Sequence, residues 1–416
     1  MRKLDGSGAG LAPRGASRAL NRRIVLNLVR ERQPISRVDI ARQLGVARGK
    51  VTTIVAELLA DGLVVEGATG PATGGRRPTY LYVRTADRLA AAVDVRASRT
   101  TVMLGDFAGR ALRVETLPTP HDPGALVAAI AACVAELRAA HRADGSCEGL
   151  GVVVPGMVDP LRGRVLRAPQ LGWRNVELRS ALERALPLPV WVENAPVACA
   201  LARLWLARPA DDGAPADATP TGETSYVYVS VSDGVGTGVV IDGHLVRGAT
   251  HTAGEFGHTL IDPAGPPCSC GATGCLEAFA SNPATVARYH ALAAAGRPRA
   301  RRGAGGTAPP TIDEVIARAV GGDPAAVAAL AETGRALGLG LATIVNTVNP
   351  ARIYVGGEIT AAWPLLDEAL HLALGSRAVT AAAAATPVVP DSSPHPRLLG
   401  ATALVTAQTF APARLA

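Results

Sequence analysis

Residues Gly254 to Ser281, GEFGHTLIDPAGPPCSCGATGCLEAFAS, hold the densest set of chemically useful side chains in this 416-residue chain. Three of its six cysteines, Cys268, Cys270 and Cys275, fall within eight positions, and His258 lies ten residues before the first of them. One imidazole and three thiolates form a closed tetrahedral set for Zn²⁺, which favours nitrogen and sulfur donors. Four protein ligands leave no open position on the ion, so the predicted role is structural rather than catalytic. Gly271 and Gly274 allow tight backbone turns between the ligands.

Two acids share the stretch: Glu255 three residues before His258, and Glu277 two after Cys275. Beside a rigid metal site their carboxylates can accept hydrogen bonds from sugar hydroxyls. His258 can join them through its second ring nitrogen. Spacing alone leaves open the alternative that both acids are solvated surface groups.

GEFGH followed by CSCGATGCLEAF resembles the signature of the ROK family of repressors and sugar kinases, and further segments extend the resemblance from about Ala91 to Leu404. The resemblance implies a two-lobed, actin-like (ribonuclease H-like) α/β sugar-binding domain with a structural zinc. It also implies that Glu255, His258 and Glu277 face the sugar. Family members divide into sugar kinases that use ATP and sugar-responsive transcription factors, and the remaining segments discriminate between the two.

In the family's kinases a first strand ends in Asp-x-Gly-Gly-Thr, whose glycines let backbone N–H groups approach ATP phosphates. The matching residues here are Asp94-Val95-Arg96-Ala97-Ser98, with both glycines absent. At Val190-Trp-Val-Glu-Asn194 the kinases follow Asn with an Asp that takes the proton from the attacking hydroxyl; Ala195 stands there instead. Asn194 keeps the ability to hydrogen-bond a sugar hydroxyl, or else serves as a local helix cap. The loop matching the family's sugar-facing loop carries Gln170 where Asn is frequent. The run YVYVSVSDGVGTG, Tyr226 to Gly238, reads as a tight hairpin in preference to a second phosphate loop.

The elements that must position these residues begin with a separate module. Sixteen Lys and Arg against seven Asp and Glu over residues 1–88 give +9 there, whereas the whole chain carries +7, so the remainder sits at −2. A basic module on a near-neutral body predicts a polyanionic partner. Residues 1–16 read as a disordered arm and 17–85 as a winged helix-turn-helix. In it, Leu20, Ile24 and Leu28 line a first helix, and Ser36 to Asp39 opens a second as a capping box. A third helix from about Ala47 to Asp61 turns Val51, Ile54, Val55, Leu58 and Leu59 inward. Arg48, Lys50 and Thr52 remain for double-stranded DNA, and two short strands flank a Gly-rich tip bearing Arg76 and Arg77. Residues 88–416 form the predicted sugar-binding domain.

Clustered cysteines with a histidine argue against a secreted disulfide framework; Cys133 and Cys199 are expected to be buried thiols. No signal-like h-region and no uninterrupted apolar span is evident, so the expected setting is cytoplasmic. The predicted function is a sugar-responsive transcriptional regulator, acting as a repressor, that does not phosphorylate its sugar. The alternatives are an ATP-dependent sugar kinase, opposed by Ala195 and by the missing glycines, and a regulator that has lost effector binding. A helix-turn-helix reader of a two-fold operator implies a homodimer or a dimer of dimers.

Overall fold

The computed structural model describes residues 18–69, 77–141, 146–206, 224–295 and 310–410. The predicted arm, Arg76, and residues 207–223 and 296–309 lie outside the described residues.

The basic module folds as read. Helix α1 (Arg18–Arg32) is followed by a two-residue strand β1 (Ile35–Ser36), α2 (Arg37–Leu44) and α3 (Arg48–Ala60), then the wing strands β2 (Val64–Thr69) and β3 (Thr79–Val83). Ser36 Oγ accepts from the Asp39 N–H at 3.2 Å. The reciprocal half of the expected capping box differs: the Asp39 carboxylate accepts from the Ser36 hydroxyl at 2.6 Å rather than from backbone. Gly45 closes α2 at φ 63°, a left-handed conformation that glycine adopts without Cβ strain. Val51, Ile54, Val55 and Leu58 are buried as predicted, with Leu59 half-buried.

The first lobe contains β4 (Arg88–Val95), β5 (Arg99–Asp106), β6 (Ala111–Pro118), α4 (Pro123–Ala140), β7 (Ser146–Val154), β8 (Met157–Asp159), β9 (Arg164–Ala168), β10 (Trp173–Val176), α5 (Leu178–Ala185), β11 (Val190–Asn194) and α6 (Ala195–Trp205). The second contains β12 (Tyr226–Val231), β13 (Val235–Ile241), β14 (His244–Leu245), α7 (Leu276–Ala280), α8 (Asn282–Ala295), α9 (Ile312–Val320), α10 (Pro324–Val348), β15 (Arg352–Gly356), α11 (Trp363–Arg377), α12 (Ala381–Ala384) and β16 (Val388–Pro390). Helix α13 (Pro396–Phe410) then returns to the first lobe.

The two main sheets repeat one topology. Their orders are β11-β7-β4-β5-β6 and β14-β13-β12-β15-β16. In each, the opening strands form antiparallel hairpins, and two later strands add in parallel on the other side of the first. Parallel pairs need crossover connections, which the helices supply. Ladders such as Val152↔Val93 and Val229↔Val355 are buried on both faces and read as continuous Val/Ala runs.

Helix α10, at 25 residues, is the longest helix among the described residues. Asp323 caps it by accepting from the N–H groups of Ala325 and Ala326, and Pro324 occupies its first turn. Helices α4 and α10 are long and apolar enough to span a bilayer by length and composition, but both contribute residues to the lobe cores. Cys199 is buried as expected, whereas Cys133 is half-buried, on the less protected side of α4.

Candidate functional site

The Cys/His stretch folds into a compact knot. His258 ends a short 3-10 turn (Phe256–His258), Leu260 pairs with Cys275, and Pro267 pairs with Thr273. The Cys268 N–H donates to Ala272 O at 2.8 Å. Cys275 sits at the N-terminus of α7 and is 2% exposed.

These contacts bring one donor atom each from His258, Cys268, Cys270 and Cys275 within 4.8 Å of one another. Cys268 Sγ is 3.6 Å from His258 Nδ1, and Cys270 Sγ is 3.8 Å from Cys275 Sγ. A tetrahedral ion with Zn–S bonds of about 2.3 Å has sulfur–sulfur edges of about 3.8 Å, so the donor set and its spacing fit a metal ion. Burial and the neighbouring thiols push Cys275 up to about 12, while a backbone N–H holds Cys270 below the ordinary thiol range. Three thiols packed this closely favour a cation that holds them as thiolates.

The donor cluster and the two acids meet at His258. His258 Nε2 points away from the sulfurs and lies 3.9 Å from Glu255 Oε2. Burial raises the Glu255 carboxyl, His258 opposes this and Glu277 adds to it. Glu277 is partly committed: its two oxygens accept from Val235 N–H at 3.1 Å and from Ser269 Oγ at 2.6 Å. That pair ties the Cys/His knot to the β12–β13 hairpin.

Asn194, Glu255, His258 and Glu277 line a single cleft of about 360 Å³ between the lobes, together with Gln170 and Ser269. The size suits a small ligand. Asn194 serves as the helix cap: its side-chain oxygen accepts from Val197 N–H at 3.3 Å at the start of α6, and the residue also borders the cleft. Ala195 lines the cleft directly beside it.

At the inner end the missing glycines acquire a specific consequence. Arg96 lies 3.0 Å from Asp94 and also pairs with Glu358 of the second lobe. Arg397 lies 3.0 Å from the other Asp94 oxygen, and Asn282 donates to Glu358 at 2.9 Å. A side chain therefore bridges the lobes where the kinases keep a bare phosphate loop. Arg397 and Ser232 also line the cleft and carried no local sequence signal for it, because only the meeting of distant elements brings them there.

Burial alone would raise Glu358, but the charge and hydrogen bond of Arg96 outweigh it and hold Glu358 at about 2. A depressed carboxyl contributes stability above its ordinary value near 4.5. That contribution disappears as pH falls from there toward about 2. Glu358→Gln is expected to cost about 1–3 kcal/mol at neutral pH and to remove the corresponding part of the acid sensitivity. Denaturant melts of both proteins between neutral pH and pH 3 check this.

On the basic module, Arg48, Lys50 and Thr52 are exposed along α3, and the Thr52 hydroxyl donates to Arg48 O at 3.0 Å. Arg77 is exposed at the base of the wing. Arg76 lies outside the described residues. The two sets of predicted site residues thus occupy separate parts of the chain, DNA side and cleft side.

Residues 90–408 match the ROK family, and residues 18–65 match a winged helix-turn-helix DNA-binding family. The chain belongs to the ROK family. The "Xylose repressor" of Caldicellulosiruptor bescii is 30% identical over 366 residues, covering 87% of this chain and 89% of the relative. The "DNA-binding transcriptional dual regulator NagC" of Escherichia coli strain K12 is 30% identical over 394 residues, covering 93% and 92%. A crystal structure of a ROK family transcriptional regulator, described as a homolog of the E. coli MLC protein, superposes with a TM-score of 0.77 at 26% identity, covering 94% of this chain and 96% of that one. These likenesses run through the DNA-binding module as well as the ROK domain. They mark this member of the family as a transcriptional regulator rather than an enzyme.

Proposed function

We propose that this regulator is a repressor whose DNA affinity responds to a sugar bound in the interlobe cleft and left unphosphorylated. The observation that carries the reading is the cleft itself: Asn194, Glu255, His258 and Glu277 converge on it, while Ala195 stands where a proton acceptor would be needed. Acceptors, an imidazole and amides around a small cavity suit an array of hydroxyls. A methyl group cannot take a proton from one of them.

In this reading His258, Cys268, Cys270 and Cys275 hold one structural zinc, which fixes the backbone carrying Glu255 and Glu277. Action on DNA implies a cytoplasmic protein, and a two-fold operator implies a homodimer or dimer of dimers. The "Xylose repressor" above and an "N-acetylglucosamine repressor" of Escherichia coli O157:H7, 30% identical over 394 residues, suggest a pentose or an amino sugar as first candidates. A sugar screen by thermal stabilisation, followed by operator release with the hits, tests the proposal. Stabilisation by none of them, with operator binding intact, would indicate a regulator without an effector.

For the DNA side, Lys50→Ala and Arg77→Ala are each expected to weaken operator binding and to reduce the slope of log K against log salt by about 1. Arg76→Ala belongs in the same series. Unchanged slopes in all three variants would remove these residues from the phosphate contacts.

A further inference from the structure

Helix α6 touches both functional ends of the molecule. Its capping residue and first turn, Asn194, Ala195 and Pro196, border the interlobe cleft. Its last carbonyls, Leu204 O and Trp205 O, accept from Arg30 Nη1 at 3.1 and 3.0 Å. Arg30 belongs to α1, the first helix of the DNA-binding module. Eleven residues at 1.5 Å each put the two ends about 16 Å apart.

The helix has little freedom to bend or slide on its own. It is held between the second lobe and the returning α13 at near backbone contact. A Cβ on Gly238 of β13 would lie 2.6 Å from Pro196 O, and one on Gly400 of α13 would lie 2.6 Å from the Ala198 carbonyl carbon. Tyr226 of β12 donates its hydroxyl to Ala200 O at 2.7 Å. A displacement imposed by either lobe on the first turn must therefore move the last turn with it.

The grip at the far end is specific. The Arg30 side chain is 6% exposed, its guanidinium stacks 4.8 Å from the Trp205 ring and 5.4 Å from Phe410, and it also pairs with Glu31. A cation at a helix C-terminus meets the negative end of the helix dipole. Burial draws Arg30 down to about 10, so it stays charged at neutral pH. Asn27, one turn earlier, donates to Phe410 O at 2.9 Å. From α1 the connection continues to the DNA-facing helix, because Arg18 pairs with Glu57 and Arg22 with Asp61 of the turn ending α3.

We infer that α6 carries the occupancy of the cleft to the DNA-binding module, with Arg30 as the positioning residue that couples the two. The inference rests on the sugar-responsive reading above and adds the route by which the response travels. Arg30 faces neither the cleft nor the exposed side of α3, so its replacement should leave both binding events in place and cut the link between them.

The experiment uses the full chain, xylose and N-acetylglucosamine as probes, and an operator duplex recovered by the protein from a randomised library. Sugar affinity is measured by calorimetry, and operator affinity with and without saturating sugar. Couplings of this kind typically span about 5–150-fold, and a wild-type response in that range is expected. Arg30→Gln should keep sugar affinity and sugar-free operator affinity within about twofold while its response falls below about twofold. Arg30→Lys keeps the charge but not the planar fork that reaches two carbonyls, so an intermediate response is expected. It also carries the test if the glutamine variant does not fold. A full response in a folded Arg30 variant overturns the inference.

Should neither sugar bind the wild type, the sugar reading fails for those probes, and the route is tested without them. Operator affinities of Asn194→Ala, Arg30→Gln and the double variant form a cycle across α6. Removing the cap should change operator affinity when Arg30 is present and not when it is absent. Strict additivity would overturn the inference.

Discussion

Cys275→Ser is expected to yield protein that carries no stoichiometric zinc and unfolds at a markedly lower temperature. Cys275 is the buried member of the cluster, and it immediately precedes the short helix that presents Glu277. A serine hydroxyl is a poor substitute for thiolate at a Cys₃His site. Losing a direct ligand should therefore exceed the roughly 10–100-fold loss of metal affinity seen when only a supporting partner is removed. Without the ion, the knot keeps little beyond a few turn hydrogen bonds and two isolated bridges. Glu277 then loses its fixed place against Val235 and Ser269, so sugar binding should fall with the metal. Cys270→Ser, at an exposed ligand, should lose metal with less damage to packing. Elemental analysis of protein purified without chelator gives one zinc per chain for the wild type if the proposal holds; none at all in folded, sugar-binding wild type would sink it.

The second large effect is catalytic silence. With ATP and any sugar that binds, the wild type is expected to form no sugar phosphate at the roughly 1–100 s⁻¹ typical of kinases. General-base assistance alone is typically worth about 10²–10⁴-fold, and Ala195 forgoes it. Ala195→Asp should nevertheless restore nothing on its own. Arg96 still occupies the place of the phosphate loop, held by Asp94 and by Glu358 from the opposite lobe. Turnover measured for both proteins with xylose and N-acetylglucosamine decides the matter; sugar-dependent phosphorylation at ordinary kinase rates by either one would contradict this account.

Local chemistry made much of this protein legible. Residue type and spacing in Cys268-Ser-Cys270 and Cys275 announce a His/Cys donor cluster, because four donors within so short a stretch can converge with few chain constraints. The apolar stripe of α3 and the Ser36 cap specify a helix-turn-helix for the same reason: each signal is satisfied within a turn or two of helix. Glu255, Glu277 and Asn194 could be proposed for a sugar because their neighbours in sequence form recognisable motifs.

Tertiary structure decided what depends on elements meeting across the chain. No local pattern links Arg96 to Glu358, which are joined only because the first lobe's hairpin turn faces the second lobe's Gly-Gly turn. The same holds for Gly238. In the sequence it belongs to a glycine-rich run read as a hairpin in preference to a phosphate loop, with no sign of a helix beside it; in the fold a Cβ there would strike α6. Arg30 reads as one more basic residue of a DNA-binding module. It is in fact buried against the last carbonyls of a helix 174 and 175 residues further along the chain, a partner that exists only once α6, α13 and α1 have packed together. Side chains that bind through nearby partners are announced by spacing; those that couple one domain to another acquire their meaning only from burial and long-range contact.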